Sequence, residues 1–155
     1  MKKIFVSFMI LVATFVANAQ EIKWMTLTEA LALQKSVPKP IFMDVYTDWC
    51  GPCKELDKKT FQDKIFMAFI SANYYAVKFN AEGNSEIIFE GKKYTNSGFV
   101  ESRKGKNSMH DFIKYLDLPG YPTMITFDKK GKITGRVVGY FNAERLMAEL
   151  KKLKA

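Results

Sequence analysis

Cysteine occurs only twice in this 155-residue chain, and histidine only once. That scarcity argues against two architectures. A secreted scaffold held together by disulfides carries more cysteines, placed to close larger loops. A structural zinc site wants four ligands, and Cys50, Cys53 and His110 are the only soft candidates. No arginine-rich stripe and no basic-aromatic motif points to nucleic acid. Low-complexity tracts and internal repeats are missing as well. The apolar run Ile4 to Val16 is shorter than the roughly 20 residues of a membrane-spanning helix.

What remains suits one globular domain. Hydrophobic residues make up 48% and charged residues 26%, and thirteen Phe with seven Tyr supply a core. The first nineteen residues form a unit of their own: Lys2 and Lys3, then the apolar run, then Ala17-Asn18-Ala19. This is the layout of a secretory signal peptide, with a mature domain expected over residues 20–155. Its loss would lower the net charge from +8 to +6, the balance of a solvated lysine-rich surface.

Along that domain, Thr26 and Glu29 read as a capping box opening a helix that runs to about Lys35. Ile41 to Tyr46, bounded by Pro38 and Pro40, reads as a strand buried on both faces. Helical patterns follow over about 50–59 and 63–72, then a strand over 74–79. Thr123–Phe127 and Ile133–Val138 read as strands joined by a hairpin turn at Asp128-Lys129-Lys130-Gly131. Asn142 caps a final amphipathic helix. Residues 83–118 are rich in turn signals, with Asn107 or Ser108 placed to cap a short helix through Phe112, Ile113 and Leu116. The order implies an α/β fold, a central sheet covered by helices.

The chemistry lies in Trp49-Cys50-Gly51-Pro52-Cys53-Lys54. As a staple the cysteine pair is poor, because a four-residue loop yields roughly 2 kcal/mol against about 3 for fifteen residues. As a redox device it is apt: two thiols on one turn close and reopen with little rearrangement. Cys50 follows a strand and begins a helix, where unpaired N–H groups and the helix dipole favour a thiolate. Cys53, one turn further in, is expected to be the more buried. Pro52 suits a first helical turn and Gly51 leaves Cys50 unobstructed. A zinc half-site and an inert disulfide are the competing readings of the same pair.

At these residues the sequence resembles the thioredoxin family. The signature follows a strand ending Asp44-Val45-Tyr46-Thr47-Asp48 and is joined about seventy residues later by Gly120-Tyr121-Pro122-Thr123, which resembles the family's cis-proline element. The resemblance implies a thioredoxin-like fold: a mixed central sheet flanked by helices, with an insertion at about 83–118 before the cis-proline loop. It implies that Asp44 is the buried acid beneath the active site, exchanging protons with Cys53. Lys78 resembles that acid's partner. Pro122 is the cis-proline that brings the Tyr121 backbone beside Cys50, and Gly139 resembles a glycine near the same surface. Trp49, Gly51, Pro52, Tyr121 and Pro122 are thus the expected substrate-contacting residues.

The implied activity is thiol–disulfide exchange without cofactor or metal, by a monomer in the periplasm or another extracytoplasmic space. Its substrates would be protein disulfides, with a membrane thiol relay as electron donor. Cys-Gly-Pro-Cys resembles reducing members, so reductase is the first expectation. An oxidase or isomerase on the same scaffold, or a binding module with idle cysteines, are the alternatives. Potentials of such pairs span about −270 to −120 mV, so the motif alone leaves the direction open.

Overall fold

The computed structural model describes residues 21–153, and the expected leader at residues 1–19 lies outside them. A two-residue strand, β1 (Trp24–Met25), leads into helix α1 (Leu27–Ser36). Thr26 caps it reciprocally with Glu29: Thr26 Oγ1 accepts from the Glu29 N–H at 3.2 Å, and Glu29 Oε2 accepts from the Thr26 N–H at 2.7 Å. Strand β2 (Ile41–Tyr46) follows, then the Cys motif and helix α2 (Gly51–Glu55).

The pattern over 50–59 reads as one helix, and here the structure differs. Helix α2 widens into a π-helical turn over Leu56–Thr60, closed by the Phe61 N–H donating to the Leu56 carbonyl at 2.8 Å. Asp63 then caps α3 (Lys64–Asn73), which leads into β3 (Tyr75–Asn80).

Residues 83–118 hold structure that the turn signals do not reveal. A hairpin, β4 (Ile87–Phe89) and β5 (Lys92–Tyr94), turns through Glu90 and Gly91, both at positive φ (50° and 75°). This is a left-handed two-residue loop. Helix α4 (Asp111–Leu116) is capped not by Asn107 or Ser108 but by His110, whose Nδ1 accepts from the Phe112 N–H at 3.1 Å. His110 Nε2 lies 2.6 Å from the Ser85 carbonyl. Ser108 donates instead to Asn96 Oδ1 at 2.6 Å, tying the two ends of the loop between β5 and α4.

Strands β6 (Thr123–Phe127) and β7 (Ile133–Val138) and helix α5 (Ala143–Lys152), capped by Asn142, complete the chain. At the β6–β7 turn Gly131 takes φ +81°, and a side chain there would press on Leu31.

The five-stranded sheet runs β1-β3-β2-β6-β7. β1, β3 and β2 are parallel, β6 runs antiparallel to β2, and β7 runs antiparallel to β6. The sheet is therefore mixed, as the resemblance implies. Alternation along β2 divides the core. Ile41, Met43 and Val45 face α1, α4 and the β4–β5 hairpin, while Phe42 packs with Leu56, Phe61 and Phe66 beneath α2 and α3. Asp44 belongs by the same alternation to the α2 side.

Phe112 is fully buried and touches Phe79, Phe89, Tyr94 and Tyr115, so the segment 83–118 shares the main core. Phe112→Ala is expected to cost about 3–5 kcal/mol in urea unfolding, within a single transition. A loss below about 1 kcal/mol, or a separate early transition, would mark the insert as an appendage.

Candidate active site

The site begins where β2 ends. The chain turns at Thr47, whose carbonyl accepts from the Cys50 N–H at 3.2 Å, and Cys50 becomes the N-cap of α2. Cys50 and Cys53 are joined as a disulfide. Cys50 Sγ accepts the Cys53 backbone N–H at 3.2 Å, so an orphan donor of the first helical turn points at this sulfur. The expected contrast in burial does not hold in this oxidised form: Cys50 is 3% exposed and Cys53 2%. Both sulfurs sit in one turn, so a closed bond leaves neither protruding.

Beneath α2, sheet register builds a charge network. In the parallel pairing of β2 with β3, Asp44 is the partner of Lys78. Asp44 Oδ2 accepts from Lys78 Nζ at 2.8 Å. The ammonium also bonds Asp57, on the π-helical turn one helical turn past Cys53, and lies about 5 Å from the ring centres of Trp24, Tyr46 and Phe61. Asp44 Oδ1 is buried and has no hydrogen-bond partner among the described residues.

Burial, the largest influence, pushes the Asp44 carboxyl up to about 6 against the pull of Lys78, and the charge of Asp57 adds to the rise. Burial works on Lys78 in the opposite sense, but the attraction of and hydrogen bonds to Asp44 and Asp57 outweigh it and hold Lys78 above its ordinary value. Asp57 is a member of this network that sequence reasoning missed. Its only signal is an acid four residues after Cys53.

The second half of the site faces outward. The Tyr121–Pro122 peptide is cis. Gly139, at φ +98°, donates its N–H to the Pro122 carbonyl at 2.8 Å, so the glycine and the proline do share one surface. The Tyr121 and Trp49 rings meet edge to face at 6.3 Å. Gly51 and Pro52 are exposed beside Cys50. Glu82, two residues past β3, also escaped the sequence reading, and its Oε1 accepts from the Trp49 indole N–H at 2.9 Å.

A model of the thioredoxin-like domain matches residues 27–154. The chain belongs to the thioredoxin-like family. Within this family it is 34% identical over 123 residues to the thiol:disulfide interchange protein DsbD of Pectobacterium atrosepticum, a match covering 78% of this chain. That match spans only 17% of the relative's length. Among solved structures, the DsbH oxidoreductase superposes with a TM-score of 0.62 at 18% identity, covering 92% of this chain and 91% of that one. The oxidised C-terminal domain of Neisseria meningitidis DsbD superposes at 0.57 and 17% identity, covering 81% and 90%. Both structures share the thioredoxin-like fold with this chain.

The raised carboxyl has a consequence for stability. Unfolded aspartate titrates near 3.9, so folded Asp44 holds its proton more tightly. Its contribution to stability is complete below about pH 4 and is lost as pH rises to about 6. Asp44→Asn is therefore expected to stabilise the oxidised protein at pH 8 by about 1–3 kcal/mol and to flatten the slope between pH 4 and 6. Urea titrations at pH 5 and pH 8 measure this. A variant less stable than wild type at pH 8 would mean that the pairing with Lys78 outweighs the burial of the charge.

Proposed function

We propose that this chain is a thiol–disulfide oxidoreductase that exchanges dithiol and disulfide through Cys50 and Cys53. The observation that carries the proposal is the Cys50–Cys53 disulfide at the mouth of α2, with a backbone N–H already directed at Cys50 Sγ. The resemblance to thiol:disulfide interchange proteins over most of the chain supports the same reading.

In the reducing direction the Cys50 thiolate attacks a substrate disulfide. One substrate sulfur leaves as thiolate, and a mixed disulfide joins the other to Cys50. The Cys53 thiol passes its proton to Asp44 and attacks Cys50 Sγ. The second substrate sulfur then leaves and takes up a proton, and two electrons have moved from the dithiol to the substrate. The resulting disulfide is reopened by an incoming donor dithiol.

Asp44 suits the proton step. Its Oδ1 is unbonded, so it can be protonated while Oδ2 keeps Lys78. With a value of about 6, roughly a tenth of the group carries a proton at pH 7, near the range in which a carrier both accepts and releases. Lys78 and Asp57 position it. Trp49, Gly51, Pro52, Tyr121 and Pro122 frame the approach to Cys50.

The secretory layout of residues 1–19 supports action outside the cytoplasm. There the substrates are disulfides of exported proteins, the donor is a membrane thiol relay, and the working unit is a monomer. Among the described residues no helix is long and apolar enough to cross a membrane.

Insulin reduction driven by dithiothreitol tests the activity: the mature protein is expected to accelerate precipitation of the insulin B chain, and Cys50→Ser to fall to the thiol-only rate. Equal rates for both would leave a binding module with idle cysteines. Equilibration with glutathione sets the direction, a value near −270 mV supporting a reductase and one near −120 mV an oxidase. Cys53→Ala is expected to retain substrates on Cys50 as mixed disulfides visible by mass spectrometry. Asp44→Asn is expected to slow resolution at pH 7 by about a hundredfold, and an unchanged rate would remove the acid from the proton step.

A further inference from the structure

The insert reaches the redox motif through one carboxyl group. Glu82 is only 7% exposed, and its two oxygens hold two different parts of the chain. Oε1 accepts from the Trp49 indole N–H at 2.9 Å, and Oε2 accepts from the Asn107 backbone N–H at 2.8 Å. Asn107 in turn closes its own loop, its side chain donating to the Val100 carbonyl at 2.8 Å and accepting from the Val100 N–H at 3.0 Å. Asn96 ties the base of this loop to the Gly83 and Ser108 carbonyls at 2.9 and 2.7 Å. The segment beside Trp49 is therefore held from both ends.

Two side chains of that segment join the surface around Cys50. Lys106 Nζ stands 4.4 Å from the centre of the Trp49 ring, on an exposed side chain. Met109 Sδ accepts from the Tyr121 hydroxyl at 3.2 Å. Trp49 is nevertheless 43% exposed and Met109 38%. The result is an apolar platform of Trp49, Tyr121 and Met109 with a cation seated over its Trp49 ring. Glu82, which holds the Trp49 indole, has both oxygens engaged. Asp48 beside Trp49 is exposed, and its Oδ2 accepts from the Asn80 amide at 3.1 Å, toward β3. Around Lys106 the exposed loop adds Arg103 and Lys104 against Glu101.

We infer that the insert is a specificity element of the exchange site, with Lys106 and the Trp49–Tyr121–Met109 platform selecting polypeptide disulfides that carry a carboxylate and an apolar side chain within a few residues of the attacked cysteine. This rests on the exchange reading above. Glu82 is a positioning residue here: it fixes the insert to the motif without touching substrate. The apolar side chain packs on the part of the platform that Lys106 leaves open, and the substrate carboxylate pairs with the exposed Lys106 ammonium.

The test uses three synthetic peptide disulfides that differ at one position near the cysteine: Glu, Gln or Lys. The mature protein is expected to show kcat/KM about fivefold higher for the Glu peptide than for the Lys peptide, a ratio that shrinks toward one in 1 M salt. Lys106→Glu is expected to invert the ratio, and Lys106→Gln to bring it near one. Because each variant is judged by the ratio between its own substrates, a general loss of activity does not imitate the effect. Turnover of the Gln peptide with no preference between Glu and Lys would overturn the inference while leaving the exchange reading intact. A preference that survives in Lys106→Glu would overturn it equally. No turnover of any peptide by the wild type would remove the exchange reading itself, and this inference with it.

Discussion

Parallel pairing of β2 with β3 is the constraint on which the charge network and the Trp49–Glu82 contact depend. The register sets Asp44 against Lys78 within the sheet and Tyr46 against Asn80 at its end. Three residues past Tyr46 comes Trp49, and two past Asn80 comes Glu82, so the two strands release their chains side by side and the indole meets the carboxyl group. A shift of one residue would turn Asp44 to the opposite face and part Trp49 from Glu82. Strand β6 adds the third component, since its antiparallel pairing sets Thr123 against Val45 and thereby brings the cis Tyr121–Pro122 peptide to the same end of the sheet.

An ion pair of this sort is weak evidence for stability. Asp44 loses its hydration, and the contact with Lys78 returns only part of what burial costs, as the elevated carboxyl value records. Lys78 is better supported, with two carboxylates and three aromatic faces around it. The asymmetry suits chemistry more than folding. A well-satisfied cation keeps its proton, while an under-satisfied carboxyl beside it is left free to gain and lose one.

Much of this was legible in the sequence because it is local. Periodicity and punctuation place β2, β6 and β7 at their observed bounds, and the caps at Thr26 and Asn142 lie where the residue types put them. Asp44, Lys78 and Pro122 came from resemblance rather than pattern; the sheet register pairs Asp44 with Lys78, and the Tyr121–Pro122 peptide is cis. What escaped is non-local or atypical. Strand β1 is two residues long, too short for any alternation. The β4–β5 hairpin turns on Glu90-Gly91 in place of the usual Asn-Gly. Asn107 and Ser108 have good capping side chains, yet tertiary partners claim them, and a buried histidine caps α4 instead. Glu82 and Asp57 are ordinary acids in sequence, and they matter only because the fold carries Trp49 and Lys78 to them.

The helix mouth shows how the oxidised form anticipates the reduced one. Cys50 Sγ already accepts the Cys53 N–H while bonded to Cys53, so opening the disulfide creates a thiolate in front of a donor that is in place. Preorganisation of this kind lowers the cost of the charge because no group has to turn toward it at the moment of reaction. The second sulfur has the opposite need. To act as a nucleophile Cys53 must lose a proton, and its own backbone N–H is already directed at Cys50 Sγ. Asp44, buried on the sheet face that α2 covers and with one oxygen unbonded, is the group to which the proposed mechanism gives that proton, so the two sulfurs make different demands on the fold: a backbone donor for Cys50 and a proton acceptor for Cys53.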